Sequence, residues 1–206
     1  VRESDQHNDT FGLVKAIAAK RYMAPEFFDL MDIVLKLSVQ SQKHAVRLQC
    51  SQIFLSYLVE YPMGSKRLEN HLQQIVLNIK YEYEEGRLSA IDLLSALIQK
   101  FPLPALEANA QLFFLPLVLS LVNDESKKCK EAVAGCISLM LKRLSTDTVQ
   151  SLYSYVKRWS QPAGVESVPM QLASAQLYGL FVEARPDYVK RGRNSSELAD
   201  LIMQVI

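Results

Sequence analysis

Histidine, cysteine and clustered charge are the residues here with chemistry to offer, and their spacing decides what they could do. The histidines are His7, His44 and His71. None stands beside a cysteine or another histidine at metal-ligand spacing, and there is no HExxH or CxxC motif. His44 falls just inside a helix start and His71 on a polar helix face, so both read as solvated. Cys129 and Cys136 lie seven residues apart, two helical turns along one face. A metal there would need two more ligands, and no histidine is near in sequence. With Cys50 they read as buried thiols rather than a disulfide framework, which suits a reducing compartment. Gly86 and Gly135 are isolated, so no glycine-rich loop cradles a phosphate. No constellation for an enzyme is present in the sequence, and no cofactor is implied.

Charge clusters remain. Glu82-Tyr83-Glu84-Glu85 reads as the polar entry to a helix, where carboxylates complement the positive end of the helix dipole. Docking of a basic partner is the sharper alternative. Basic clusters fall at Lys66-Arg67, at Lys127, Lys128 and Lys130, and at Lys190, Arg191 and Arg193. The second opens a helix, where lysine opposes the dipole, so it points to an anionic partner. The third sits in YVKRGRNSS, whose glycine and serines predict an exposed loop. A solvated turn is the plain reading of that loop. Phosphate contact through arginine and a nuclear-localisation-like patch are the sharper ones. Trp159, before Ser160-Gln161-Pro162, is expected to pack at a helix end.

The elements that position these residues are helices. The 206 residues are 49% hydrophobic and 22% charged, with 23 Lys and Arg against 22 Asp and Glu. That is a globular composition, and a net charge of +1 favours no class of partner in bulk. No signal peptide pattern opens the chain. The apolar run from Leu112 to Val122 is too short to span a bilayer. Leu68, Leu72, Ile75, Val76 and Ile79 form one helical stripe. Leu88, Ile91, Leu94, Ile98 and Phe101 form a second, Cys129, Val133, Cys136, Ile137 and Met140 a third, and Val149, Leu152, Tyr153 and Val156 a fourth. The periodicity places helices at 9–20, 25–38, 43–60, 65–80, 85–101, 104–122, 126–144, 147–160, 166–184 and 195–205.

The helices recur in pairs at 9–38, 43–80, 85–122, 126–160 and 166–205. Pair starts near 43, 85, 126 and 166 give a step of about 40 residues, the period of HEAT and armadillo repeats. Tyr61-Pro62 and Phe101-Pro102 mark equivalent corners forty residues apart. Proline stops the helix there, and the aromatic is expected to plug the gap to the next pair. Ala184-Arg185-Pro186 marks the corner again, and at Leu144-Ser145-Thr146-Asp147 the serine is expected to cap the next helix instead. Arg47, Arg87, Lys130 and Gln171 each precede by three residues a compact residue: Cys50, Ala90, Val133 and Ser174. The fold class is therefore all-α, a HEAT/armadillo-like solenoid forming one continuous segment. The chain reads as a piece of a longer one.

TFGLVKAI, then FLSYLVEYPMGSKRLENHLQQIVLNIKYEYEEGRLSAIDLL, then LFFLPLVLSLVNDES resemble the HEAT-repeat family of component 20 of the small-subunit processome, also called down-regulated in metastasis. The resemblance runs from Asp9 to the end of the chain, strongest from Phe54 to Leu94, and matches the later part of a very long protein. It implies a nucleolar, non-enzymatic scaffold of ribosome biogenesis. Its partners would be processome proteins, a small nucleolar ribonucleoprotein and the small-subunit rRNA precursor, with no membrane and no small-molecule substrate. The alternative is a HEAT adaptor of the transport-receptor or phosphatase-scaffold type, which binds protein and no RNA. Strongly acidic inner helices would favour that alternative, and they are lacking here.

Overall fold

A computed structural model describes residues 11–17, 19–20, 25–160 and 168–186. Every regular element among them is a helix. A short helix, α1, covers 11–17. It is followed by α2 (Pro25–Gln40), α3 (His44–Glu60), α4 (Ser65–Asn78) and α5 (Glu84–Lys100). Then come α6 (Leu103–Ala108), α7 (Ala110–Asn123), α8 (Lys127–Arg143), α9 (Thr146–Trp159) and α10 (Val168–Ala184). The fold is an all-α solenoid of helical pairs. The expected helix at 195–205 lies outside the described residues. The chain divides into two compact units, Val1–Lys100 and Phe101–Ile206.

In the first unit α5 packs against α2, α3 and α4, and α2 packs along α3. The stripes predicted from spacing supply the contact. Ile91, Leu94 and Ile98 of α5 are fully buried, as are Phe54 of α3 and Ile75 of α4. Each such side chain contributes roughly 1.5–3 kcal/mol by leaving water. Ile79 just beyond α4 is buried too, while Leu68 and Leu88 at the starts of their stripes stay half-exposed. Compact residues let the helices approach: Cys50 and Ala90 are buried at equivalent positions of α3 and α5. Gly86 goes further. A Cβ on it would lie 2.8 Å from the Val39 carbonyl oxygen of α2 and closer still to the Tyr81 ring. The backbone of α5 thus touches α2 where no side chain fits.

Two arginines at repeat-equivalent positions close the loops that precede their helices. The Arg47 guanidinium donates through Nη1 to the Ser41 and Gln42 carbonyls at 2.8 and 3.3 Å. Arg87 donates through Nη1 to the Tyr81 and Glu82 carbonyls at 3.1 and 2.9 Å. Both reach back six and five residues, so the repeat of the sequence is a repeat of hydrogen bonds. Arg47 also donates through Nε to Ser89 Oγ at 3.0 Å, which ties α3 to α5. It is buried, and its charge is satisfied by carbonyls rather than by a carboxylate.

Tyr61 follows the last residue of α3 and is buried, as the corner motif requires. Its ring meets Phe27 at 5.1 Å and Tyr57 at 5.3 Å. The plug therefore faces back onto α2, not forward to the following pair as the sequence suggested. Tyr61 lies beyond the last turn of α3, and the apolar start of α2 is the surface within its reach.

In the second unit α7, α8 and α10 pack together and α9 lies on α10. The expected single helix at 104–122 is two helices, because Asn109 breaks it with φ −109° and ψ 9°. Its amide Nδ2 donates to the Ala105 carbonyl at 2.8 Å, satisfying a carbonyl at the end of α6. Pro116 is carried inside α7, between the buried Phe114 and Leu117. Cys129, Val133, Cys136, Ile137 and Met140 are buried together on α8, and Ser174 on α10. Ser145 caps α9, its Oγ accepting from the Thr148 amide at 3.4 Å. Glu107 Oε1 accepts from the Ser145 amide at 3.0 Å, and hydrogen bonding from the Ser145 side chain, followed by its amide, pulls the carboxyl of Glu107 below its usual pKa. Arg185, beyond the end of α10, donates to the Leu144 carbonyl at 3.0 Å. Trp159 packs at the end of α9, stacked on Phe114 at 6.4 Å and 8°.

Two glycine substitutions should move stability in opposite directions. Gly135→Ala on α8 meets nothing within 4 Å and should stabilise by about 1 kcal/mol through helix propensity. Gly86→Ala should destabilise by about 1–3 kcal/mol, because the overpacking against Val39 outweighs the same gain in propensity. Urea midpoints of both variants against the parent chain check this. Stabilisation by Gly86→Ala would contradict the close approach of α5 to α2.

Candidate functional site

The predicted basic residues are placed unequally. Lys190, Arg191 and Arg193 lie outside the described residues. Lys127, Lys128 and Lys130 open α8. Ser126 caps that helix, its Oγ accepting from the Cys129 amide at 3.2 Å. Asp124 Oδ1 in turn accepts from the Ser126 amide at 2.8 Å. Lys127 Nζ stands 3.6 Å from Glu131 one turn on, an exposed pair worth a few tenths of a kcal/mol at about the usual scale. Lys127 and Lys128 are exposed and Lys130 half-buried. The cluster is an outward-facing surface, with Asp124 and Glu125 just before it moderating its field.

One of the basic clusters, Lys66-Arg67, lies on a concavity of the first unit. It is a groove of about 1110 Å³ between α2 and α4, inside the first unit. Two cross-helix contacts set its register. The Arg67 guanidinium lies 3.4 Å over the Phe28 ring, and His71 Nδ1 lies 3.5 Å from Asp32 Oδ1. Both partners sit thirty-nine residues apart, and the two contacts are one turn apart on each helix. The helices therefore run side by side in the same direction. Laying the sequence over itself at that offset would have shown both pairs.

His71 is a correction to the sequence reading. It is buried, only 5% exposed, and forms part of the groove floor. Its Nε2 is 3.1 Å from the Tyr57 hydroxyl, and its ring packs edge-on to Phe54 and Tyr57. The polar neighbours of His71 along α4 hid this, because α3 supplies the covering aromatics. Asp32 can only accept, so Nδ1 carries the proton and Nε2 accepts from the Tyr57 hydroxyl. Burial lowers the His71 pKa below its ordinary value, Asp32 opposes this, and Arg67 adds to it. Burial likewise pushes the Tyr57 hydroxyl well above its usual range.

No family model matches the chain. Curated relatives do. U3 small nucleolar RNA-associated protein 20 of Schizosaccharomyces pombe is 30% identical over 185 residues, which is 89% of this chain and 7% of that protein. Over most of its length the chain is similar to this U3 small nucleolar RNA-associated protein 20. The Saccharomyces cerevisiae protein of the same name is 28% identical over 159 residues, 77% of this chain and 6% of that protein. The chain thus spans a small part of the relatives it matches. The resemblance carried by the stretches between Thr10 and Ser126 is the same relationship.

The remaining reactive groups are held quiet. Cys50, Cys129 and Cys136 are buried thiols outside any disulfide. Burial pushes the Cys50 thiol up to about 11, so it carries little thiolate at neutral pH. Among the described residues no group of three or more His, Cys, Asp or Glu could hold a metal ion, and no helix is long and apolar enough to cross a membrane. His44 is exposed at the start of α3.

His71 should make stability depend on acid. The unfolded chain has the ordinary pKa near 6.5, while burial holds the folded value lower. As pH falls the unfolded chain protonates first, so the stability is complete above about pH 6.5 and is lost below it. Urea midpoints at about pH 7.5 and 5.5 should therefore fall more for the parent chain than for His71→Gln. Equal falls would show that His71 is not held neutral.

Proposed function

We propose that this chain is part of a non-enzymatic helical scaffold of the small-subunit processome, acting in ribosome biogenesis and supporting maturation of the small-subunit rRNA precursor. The observation that carries it is the 30% identity to U3 small nucleolar RNA-associated protein 20 along 89% of the chain. Identity on that scale covers the helices of both units rather than one local motif. A solenoid suits the role, because its stacked pairs hold separate partners at fixed distances. In this reading the pairs at 9–38, 43–80, 85–122, 126–160 and 166–205 form one continuous run in a nucleolar protein. Processome proteins and the small nucleolar ribonucleoprotein are its partners, and precursor rRNA is reached through the exposed lysines of α8 and through Lys190, Arg191 and Arg193.

Leu94→Asp tests the scaffold. Leu94 is fully buried, and an unpaired carboxylate there costs several kcal/mol, about the net stability of a small domain. In cells depleted of the full-length protein, a Leu94→Asp copy should leave the small-subunit rRNA precursor unprocessed. Full rescue at normal protein level would mean that this segment is dispensable.

The RNA contact is tested by charge reversal. Changing Lys127, Lys128 and Lys130, or Lys190, Arg191 and Arg193, to Glu should weaken recovery of precursor rRNA with the full-length protein. Each phosphate contact removed should flatten the salt dependence by about 0.7 to 0.9 in log–log slope. Changes at exposed positions such as Lys127 and Lys128 cost within about 0.5 kcal/mol, and a normal level of each variant protein reports that folding survives. Unchanged recovery at every salt concentration would leave both clusters as solvated surface and favour a protein-only adaptor.

A further inference from the structure

Beside the basic pair Lys66-Arg67, the groove between α2 and α4 carries an amide arrangement that the relatives' names do not address. Asn70, Gln74 and Asn78 follow one another at four-residue steps on α4, and all three line the groove with Gln40 of α2 opposite. Among the described residues, no side-chain hydrogen bond within the chain occupies these four amides. Four residues of helix rise about 6 Å. Two residues of extended polypeptide rise about 6.6 Å. The ladder therefore meets every second peptide unit of an extended chain, offering both a donor and an acceptor at each step. From Phe28 to Gln40 the wall runs about 18 Å, room for about five or six extended residues.

Charge narrows the occupant. Lys36, Lys66 and Arg67 line the groove against Asp29 and Asp32, and Asp32 already faces His71. The surplus is cationic and favours carboxylates on the bound segment. A nucleic-acid strand fits less well. The two aspartates repel phosphates, and the Phe28 ring that could stack a base is covered by Arg67 at 3.4 Å. We propose that this groove binds an extended, carboxylate-bearing segment of a partner protein, its backbone held by the Asn70–Gln74–Asn78 amide ladder and its acidic side chains by Lys36, Lys66 and Arg67. The groove is a feature of the first unit and does not depend on the processome reading.

The photoreactive residue p-benzoylphenylalanine, placed at the exposed groove residue Gln73 of the full-length protein in cells, tests this. Adducts are mapped to the residue by mass spectrometry. The expected result is crosslinking to one polypeptide segment containing Asp or Glu. Its yield should fall at least fivefold when Asn70, Gln74 and Asn78 are all changed to Ala, and likewise with Lys36→Glu plus Lys66→Glu. These exposed or half-exposed positions leave the core intact. Normal protein level and recovery of U3 RNA with each variant report on folding and on the processome reading separately. The proposal is overturned by adducts to RNA or by a partner segment without carboxylates. A yield indifferent to both variants also overturns it, as does no adduct above that from the same probe at Lys142 on α8.

Discussion

No helix in this chain can bury its apolar stripe alone, and that constraint organises everything else. α5 shows it most plainly. Ile91, Leu94, Leu97 and Ile98 together cover more than one flank, so the helix must lie against α2, α3 and α4 at once. Such crowding requires backbones to come close. Cys50 and Ala90 supply compact side chains at equivalent points, and Gly86 removes the side chain where the Val39 carbonyl comes nearest. The propensity lost by a helical glycine is offset by the burial that the close approach allows.

Stacking leaves the loops with backbone carbonyls that the helices do not satisfy, and the chain solves this locally. Arg47 and Arg87 turn back onto the carbonyls just before their own helices. In the second unit the equivalent position is Lys130 and the device changes. Asp124 and Ser126 build the start of α8, while Glu107 and Arg185 hold the corner at Leu144 and Ser145. The repeat is thus conserved in geometry within the first unit and replaced by different side chains in the second. A guanidinium bridging two carbonyls needs no carboxylate partner, which leaves acidic residues for the surface.

The same economy bears on function. The buried thiols and the neutral, aromatic-packed His71 are structural, and the polar side chains left over lie along surfaces that a partner would read. On α8 they present charge, and in the α2–α4 groove mostly amides. Charge is screened within about 10 Å at moderate salt, whereas amides recognise shape and backbone at contact distance. A surface with both can act electrostatically at a distance and by fit at contact.

Spacing alone was enough to place the described helices apart from the break at Asn109, the corners at Tyr61-Pro62 and Phe101-Pro102, the Ser145 cap and most of the buried stripes. Each depends on residues within a turn or two of one another. Similarity to U3 small nucleolar RNA-associated protein 20 was also legible, in stretches such as that from Phe54 to Leu94. What depended on a neighbour was not. His71 looked solvated because its own helix is polar around it, and only α3 brings Tyr57 and Phe54 onto its ring. Gly86 looked incidental until α2 arrived beside it. Asn109 interrupts an apolar run because its side chain captures the Ala105 carbonyl, a choice that periodicity does not record. The groove exists only because α2 and α4 stand parallel at an offset of thirty-nine residues, bridged by Arg67 on Phe28 and His71 by Asp32. The amino-acid sequence determines which face of each helix must be covered; the tertiary structure decides what covers it, because burial is non-directional and any apolar face of the right shape would serve.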